Sequence, residues 1–284
     1  MPELLLHELP VLPSVVVRLM SLSPDSDDLF DEVLEVARQE PGFALRVVRM
    51  ANSVMSSPVS PIDTLERAVA RLGASHVADL LTTVAITRVF VPRSVGERGM
   101  WRHAIEVATV SHAIVKRRRM EGTSPEQAYL AGLLHDIGRF VLFDQATDLI
   151  QQVDDLSWTT PVELIEAERV VCGTDHAEVG SQVCSHWSVP DKIVSIVKNH
   201  HQPLDQGSSP LLAVVEQADW LSVWWRSHGS TDEPLEPFQM ALSPDLIASL
   251  CRTNPFTAAD LSALRSEAIE ASDHAASALG LLKR

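Results

Sequence analysis

The chain has 284 residues, 45% of them hydrophobic, enough to bury a substantial core as one large helical domain or two smaller ones. A formal net charge of −15 and a pI near 5.1 give no positive surface for phosphate backbones or anionic membranes, so neither nucleic acid nor membrane is an expected partner. Acidic clefts that hold cations stay open. Cys172, Cys184 and Cys251 are too few and too odd in number for a disulfide framework, which points to a reducing compartment, and Cys172 and Cys184 read as buried free thiols. The start, Met1-Pro2-Glu3-Leu4-Leu5-Leu6-His7, lacks the basic region and uninterrupted apolar run of a signal peptide, and the expected location is cytoplasmic.

From Leu9 to about Phe90 the pattern is short helices with punctuated joints. Ser14 is a candidate cap for Val15 to Leu22, and Asp28 to Arg38 carries Leu29, Val33 and Val36 on one face. Pro41-Gly42 is expected to break the chain before Phe43 to Ala51, with Asn52-Ser53 ending that helix. Thr64 to Leu72, a turn at Gly73-Ala74-Ser75, and His76 to Arg88 have helix-turn-helix spacing, but the second helix offers no Arg, Asn or Gln at its start to read bases. Leu80 to Val91 is the most apolar run and is too short to span a membrane. Pro92 to Gly99 reads as a linker. A second helical block runs from Met100 to about Arg226, the basic run Lys116-Arg117-Arg118-Arg119 reading as a solvated helix end. Ser227 to Glu236 reads as a loop, and Asp245 to Arg252 and Thr257 to Leu282 as closing helices.

The second block sets ionisable groups on apolar faces. Ser124-Pro125-Glu126-Gln127 starts a helix whose late turns read Leu130-Ala131-Gly132-Leu133-Leu134-His135-Asp136-Ile137-Gly138, with Gly138 as the expected stop. An imidazole and a carboxylate in that run need compensation. His103 shares a face with Val107, Val110 and Ile114. Asp175 and Glu178 form a capping pair for a helix with His176 in its first turn. Ile193, Ile196 and Val197 lead to His200 and His201, and Leu212, Val215 and Ser222 bracket Asp219. Each could be an ordinary hydrogen-bonded core residue, and together they could form a polar core network with no ion. Gathered in one helical bundle, they also suit a metal, since adjacent His and Asp supply one nitrogen and one hard oxygen to Mn, Fe, Zn or Mg.

These residues also carry a family resemblance. His103, His135-Asp136 and Asp219 resemble the H…HD…D signature of the HD superfamily of metal-dependent phosphohydrolases. More closely, Leu9-Pro10-Val11-Leu12-Pro13, Ala51-Asn52-Ser53, Ala68 to Gly73, Leu133 to Gly138 and Asp175 to Gly180 resemble the HDOD group, the HD-related output domains of bacterial signalling proteins. The resemblance spans Leu9 to about Asp219 and implies an all-α, two-lobed helical bundle, with an N-terminal lobe at 1–92 and an HD-like lobe at 93–228; it leaves 229–284 uncovered, a loop and helices whose Ala-rich last stripe is expected to pack on the body. Many members of the group lack a complete metal site and are non-catalytic. By similarity to HD-GYP phosphodiesterases, His103, His135, Asp136, His176, His200, His201 and Asp219 stand where a two-metal centre has its ligands. The chain departs from those enzymes after the paired histidines, where Gln202-Pro203-Leu204 replaces Gly-Tyr-Pro. It departs again at Arg139, in place of a lysine, and at Trp220 to Trp225, in place of a basic segment.

Two functions follow as expectations. The first is a signal-transduction or regulatory module, non-catalytic, whose centre binds one or two divalent ions or senses a nucleotide or other phosphorylated ligand, and which answers to a signalling protein in trans. The second is a metal-dependent phosphohydrolase in which Asp136 and Arg139 take part in the chemistry, Asp136 bridging two ions and Arg139 neutralising phosphate charge, although an arginine at a helix end is ordinarily a surface residue.

Overall fold

The computed structural model describes residues 14–21, 26–39, 41–52, 61–120, 122–156, 158, 160–228 and 256–279. The motif at Leu9 to Pro13, Ser53, the helix expected at Asp245 to Arg252, and Cys251 lie outside these. Among the described residues every regular element is a helix. They fall into two units, one within Val11–Val91 and the other within Pro92–His274.

The first unit holds α1 (Ser14–Ser21), α2 (Leu29–Gln39), α3 (Pro41–Ala51), α4 (Leu65–Leu72) and α5 (Ala74–Val89). Pro41 and Gly42 open α3 rather than precede it, because a proline in the first turn gives up only an N–H that has no helical partner there. Asn52 then clamps the chain across to Ile62. Its Nδ2 donates to the Ile62 carbonyl at 2.7 Å and its Oδ1 accepts from the Ile62 N–H at 2.8 Å. Thr64 caps α4, and Gly73, at φ +87°, permits a 104° turn into α5. Val77, Leu80, Leu81, Val84 and Ile86 of α5 are all buried, and every residue from Leu80 to Thr87 is covered, so this half of the helix is the core of its unit. The accessible start of α5, with His76 exposed and Ala78 and Asp79 half-buried, carries no Arg, Asn or Gln to read bases. No single helix among the described residues is long and apolar enough to cross a membrane.

The second unit is built on α6 (Val95–Arg118) and α7 (Pro125–Leu134), followed by α8 (Ile137–Gln145), α9 (Thr147–Asp154), α10 (Pro161–Cys172), α11 (His176–His186), α12 (Asp191–Asn199), α13 (Pro210–His228) and α14 (Ala258–Leu279), the last as far as His274. The expected linker is largely helical. Ser94 and Glu97 form a reciprocal capping box that starts α6 a turn and a half before Met100. Ser227 likewise continues α13 instead of opening a loop. The basic run at the end of α6 is not merely solvated, since Arg117 pairs with Glu267, and Arg118 with Asp260 at 3.3 Å and over the Phe256 ring at 4.6 Å. Both contacts hold α14 to α6.

Two close approaches fix the middle of this unit. A Cβ on Gly132 would lie 2.8 Å from the Ala108 backbone of α6, and one on Gly138 would lie 2.0 Å from the His176 carbonyl and 2.4 Å from the Gly180 N–H of α11. Gly138 therefore does not stop a helix, as its sequence position suggested. α7 ends at Leu134, His135 and Asp136 form the corner, and Gly138 lets α8 lie directly on α11. The corner is what turns His135 and Asp136 inward.

Candidate metal centre

Five segments deliver side chains to one place: His103 from the middle of α6, His135 and Asp136 from the α7–α8 corner, His176 from the start of α11, His200 and His201 from the end of α12, and Asp219 from α13. All seven residues singled out in the sequence are brought together. They form two groups, His103, His135 and Asp219 in one and Asp136, His176, His200 and His201 in the other, with the donor atoms of each group within 4.8 Å of one another.

Asp136 joins the groups. Its Oδ1 lies 3.1 Å from His176 Nε2 and 3.4 Å from His200 Nε2, while its Oδ2 lies 3.4 Å from His135 Nε2 and 3.6 Å from His103 Nε2. Asp219 Oδ1 is 3.1 Å from His103 Nε2. One carboxylate oxygen of Asp136 thus faces each group, the geometry of a bridging ligand.

Each ring is aimed by its other nitrogen. His135 and His200 stand at helix C-termini, where Nδ1 donates to the carbonyl three residues back, Gly132 and Val197 respectively, both at 2.7 Å. His176 Nδ1 meets Glu168 Oε2 at 2.6 Å, and the same oxygen accepts the His176 backbone N–H at 2.8 Å. His103 Nδ1 meets the Ser222 hydroxyl at 3.0 Å. With Nδ1 spent in this way, Nε2 of all four rings turns to the centre.

The donor set fits a cation. His176 Nε2 lies 3.0 Å from His201 Nε2 and 3.4 Å from His200 Nε2, and His135 Nε2 is fully buried without a hydrogen-bond partner. Lone pairs crowded so closely repel unless a proton or a metal sits among them. Burial would raise the two carboxyl groups, but the surrounding imidazoles hold Asp136 well below the ordinary carboxylate range and Asp219 below it as well. Burial pushes His135 down to about 4 and lowers His201 too, leaving both neutral and free to donate. Burial would also lower His176, yet Glu168 and Asp136 outweigh it and bring that group to about 10. The centre therefore attracts positive charge, and a metal would displace the His176 proton.

Beside the centre a cavity of about 460 Å³ is lined by His103, Asp136, His201 and Asp219 on one side and by Arg139, Phe143 and Trp158 among others. Arg139 is not at the surface. It is 7% exposed, pairs through Nη2 with Asp154 at 2.5 Å, and lies 5.3 Å from the Trp158 ring centre and 5.9 Å from that of Phe143. Reading the sequence missed Glu168, which is completely buried, and the Ser222–Glu106 pair behind His103. Glu168 carried the same signal as the ligands, an ionisable residue between Leu164 and Cys172 at helical spacing.

An all-helical protein with a buried histidine and aspartate centre that could hold divalent metal is the class that fold and site define. A family model described as the HDOD domain matches residues 9–203, and the chain belongs to the HDOD family. A solved HDOD domain protein of unknown function from Geobacter sulfurreducens is 27% identical, covers 95% of this chain and 93% of its own, and superposes with a TM-score of 0.76. A candidate phosphohydrolase from Shewanella amazonensis SB2B shares the fold at 23% identity, 95% and 96% coverage and a TM-score of 0.72. A candidate signal transduction protein from Marinobacter aquaeolei VT8 does so at 20% identity, 95% and 60% coverage and 0.70. An uncharacterized protein of Treponema pallidum (strain Nichols) is 18% identical over 196 residues, 69% of this chain, which spans 38% of that relative's length.

Proposed function

We propose that this chain is a bacterial regulatory HDOD module whose centre holds two divalent ions bridged by Asp136 and uses them to bind a small phosphorylated ligand in the adjoining cavity. The observation that carries the reading is the complete donor set, three further side chains for each oxygen of Asp136, opening onto a cavity lined by Arg139 and Arg226. Five imidazoles and two carboxylates favour Mn, Fe or Zn over Mg, which takes mostly oxygen ligands. Bound ions supply Lewis acidity toward a phosphoryl oxygen. His103, His135 and Asp219 would hold one, and His176, His200 and His201 the other.

Binding is preferred to turnover because Arg139, the buried arginine of the cavity, pairs through Nη2 with Asp154, while Arg226 stands at the solvent edge, where it can hold a bound oxyanion but gives little low-dielectric stabilisation to a transition state. Hydrolysis of a phosphoester is the second reading, favoured by the direct opening of Asp136 and Asp219 into the cavity. The acidic surface and the free, buried Cys172 and Cys184 support a cytoplasmic module that acts with a signalling protein in trans. Elemental analysis of the purified chain beside His135→Ala, followed by a nucleotide and phosphoester screen for binding and for product, tests the reading. Two equivalents of metal and ligand binding without product are expected. Metal-free wild-type protein would refute the centre, and metal-dependent product formation lost in His135→Ala would establish the enzyme instead.

A further inference from the structure

The four rings aimed through Nδ1 rest on partners of two kinds. His135 and His200 use backbone carbonyls, which cannot change, whereas His176 and His103 each lead to an acidic side chain. Glu168, behind His176, is sealed at 0% exposure. Behind His103 the chain of contacts runs outward: Ser222 Oγ donates to Glu106 Oε2 at 2.7 Å, and Arg226 Nη2 donates to the same carboxylate oxygen at 3.2 Å and to Ser222 Oγ at 3.3 Å. Arg226 is also a wall of the cavity beside the centre.

The proton positions follow from donor capacity. A carboxylate only accepts, so the single hydroxyl proton of Ser222 points to Glu106. The oxygen of Ser222 is then an acceptor toward His103 Nδ1–H, 3.0 Å away, which leaves the ring's lone pair on Nε2, beside Asp219 Oδ1. Glu106 draws the hydroxyl proton outward, makes the Ser222 oxygen a stronger acceptor, and so makes His103 Nε2 a stronger donor. Arg226 places positive charge on both of those oxygens and acts in the opposite sense.

We propose that Glu106, Ser222 and Arg226 form an adjustable outer layer for one metal position, in which Glu106 and Ser222 strengthen His103 as a ligand and Arg226 opposes them. An oxyanion taken up in the cavity and paired with Arg226 therefore tightens the ion held by His103, and by linkage the ion tightens the oxyanion. The inference rests on the metal-binding reading of the centre. Glu106 and Ser222 are positioning residues, since they act only through His103.

Calorimetric titration of the chelator-stripped full chain with Mn(II) tests it, using wild type, Glu106→Gln, Ser222→Ala and Arg226→Gln, with the melting temperature of each metal-free protein measured alongside. Glu106→Gln and Ser222→Ala are expected to weaken one of the two binding events about tenfold or more. Arg226→Gln is expected to tighten the same event, and inorganic phosphate to tighten it in wild type more than in Arg226→Gln. A residue that merely held the helices together would weaken binding and lower the melting temperature in all three variants. Weakening by Arg226→Gln, or unchanged affinity in all three, overturns the inference while the metal centre stands. A wild-type chain that takes up no Mn(II) removes the centre itself.

Discussion

The unit within Val11–Val91 buries three polar side chains among its described residues, Thr82, Thr83 and Thr87, and no ionisable one. Thr83 and Thr87 satisfy their hydroxyls locally, each donating to the carbonyl four residues back, at 2.9 and 2.7 Å. The unit within Pro92–His274 buries His103, His135, Arg139, Glu168, Asp175, His176, His200, Glu216 and Asp219. Several of these meet partners from other helices, and His135 Nε2, Glu168 Oε1 and Glu216 Oε1 have no hydrogen-bond partner. The same chain thus has one core that hydrophobic burial explains and another in which burial works against stability. Desolvated charges persist where something binds them.

The largest effect should come from closing the gap between α8 and α11. In Gly138→Ala the new methyl meets main-chain atoms of His176 and Gly180, which cannot swing aside as a side chain would. A loss of about 3 kcal/mol or more is expected in denaturant unfolding, together with loss of metal uptake, because the same contact seats His176 opposite Asp136. An Ala variant as stable as wild type would mean that this packing is not what sets the centre. Next comes the shared carboxylate. Chelation of the wild type should lower its melting temperature by the equivalent of about 2.7 kcal/mol for each ion removed when free metal had been about a hundredfold above Kd. Asp136→Asn should melt alike with and without metal. A metal-dependent shift that survives in Asp136→Asn would show that the two groups bind independently and that Asp136 does not bridge them.

Glu168→Gln tests the residue behind His176. The amide oxygen can still accept from His176, but the metal-free protein at pH 7 loses the charge that keeps that ring protonated, so a stability loss of about 1.5–3 kcal/mol is expected, with metal binding weakened roughly tenfold to a hundredfold. Equal affinity in this variant and in wild type would make Glu168 a packing residue.

What the sequence disclosed in this centre was whatever stood out against its own helix. His103 among Val107, Val110 and Ile114, and Asp219 among Leu212 and Val215, were visible because one helix supplies both the apolar stripe and its interruption. Ser222 was visible only as part of such a stripe, and Glu106 looked like any exposed-face acid, since their pairing spans 116 residues and joins two helices. The α7–α8 corner was hidden for a related reason. Gly138 has the sequence signature of a helix stop, and only the approach of Gly180 shows that it is required for packing instead. Pro41 and the Ser94–Glu97 box were misplaced because Pro, Gly and Ser mark helix starts as readily as joints.

The smallest effect belongs to the first unit and serves as the control. Thr87→Val replaces a buried hydroxyl with a methyl of nearly the same shape. The Thr83 carbonyl that loses the hydroxyl bond keeps its place as the ordinary helix acceptor of residue 87, so no buried group is orphaned. Valine and threonine have similar helix propensities, and the back-bonded hydroxyl offers the helix little. The expected change in unfolding free energy is therefore about 0.5 kcal/mol in either direction, with metal uptake untouched. A loss beyond about 2 kcal/mol would mean that the hydroxyl answers to something outside its own helix, and the contrast between an inert core and a charged one would no longer hold.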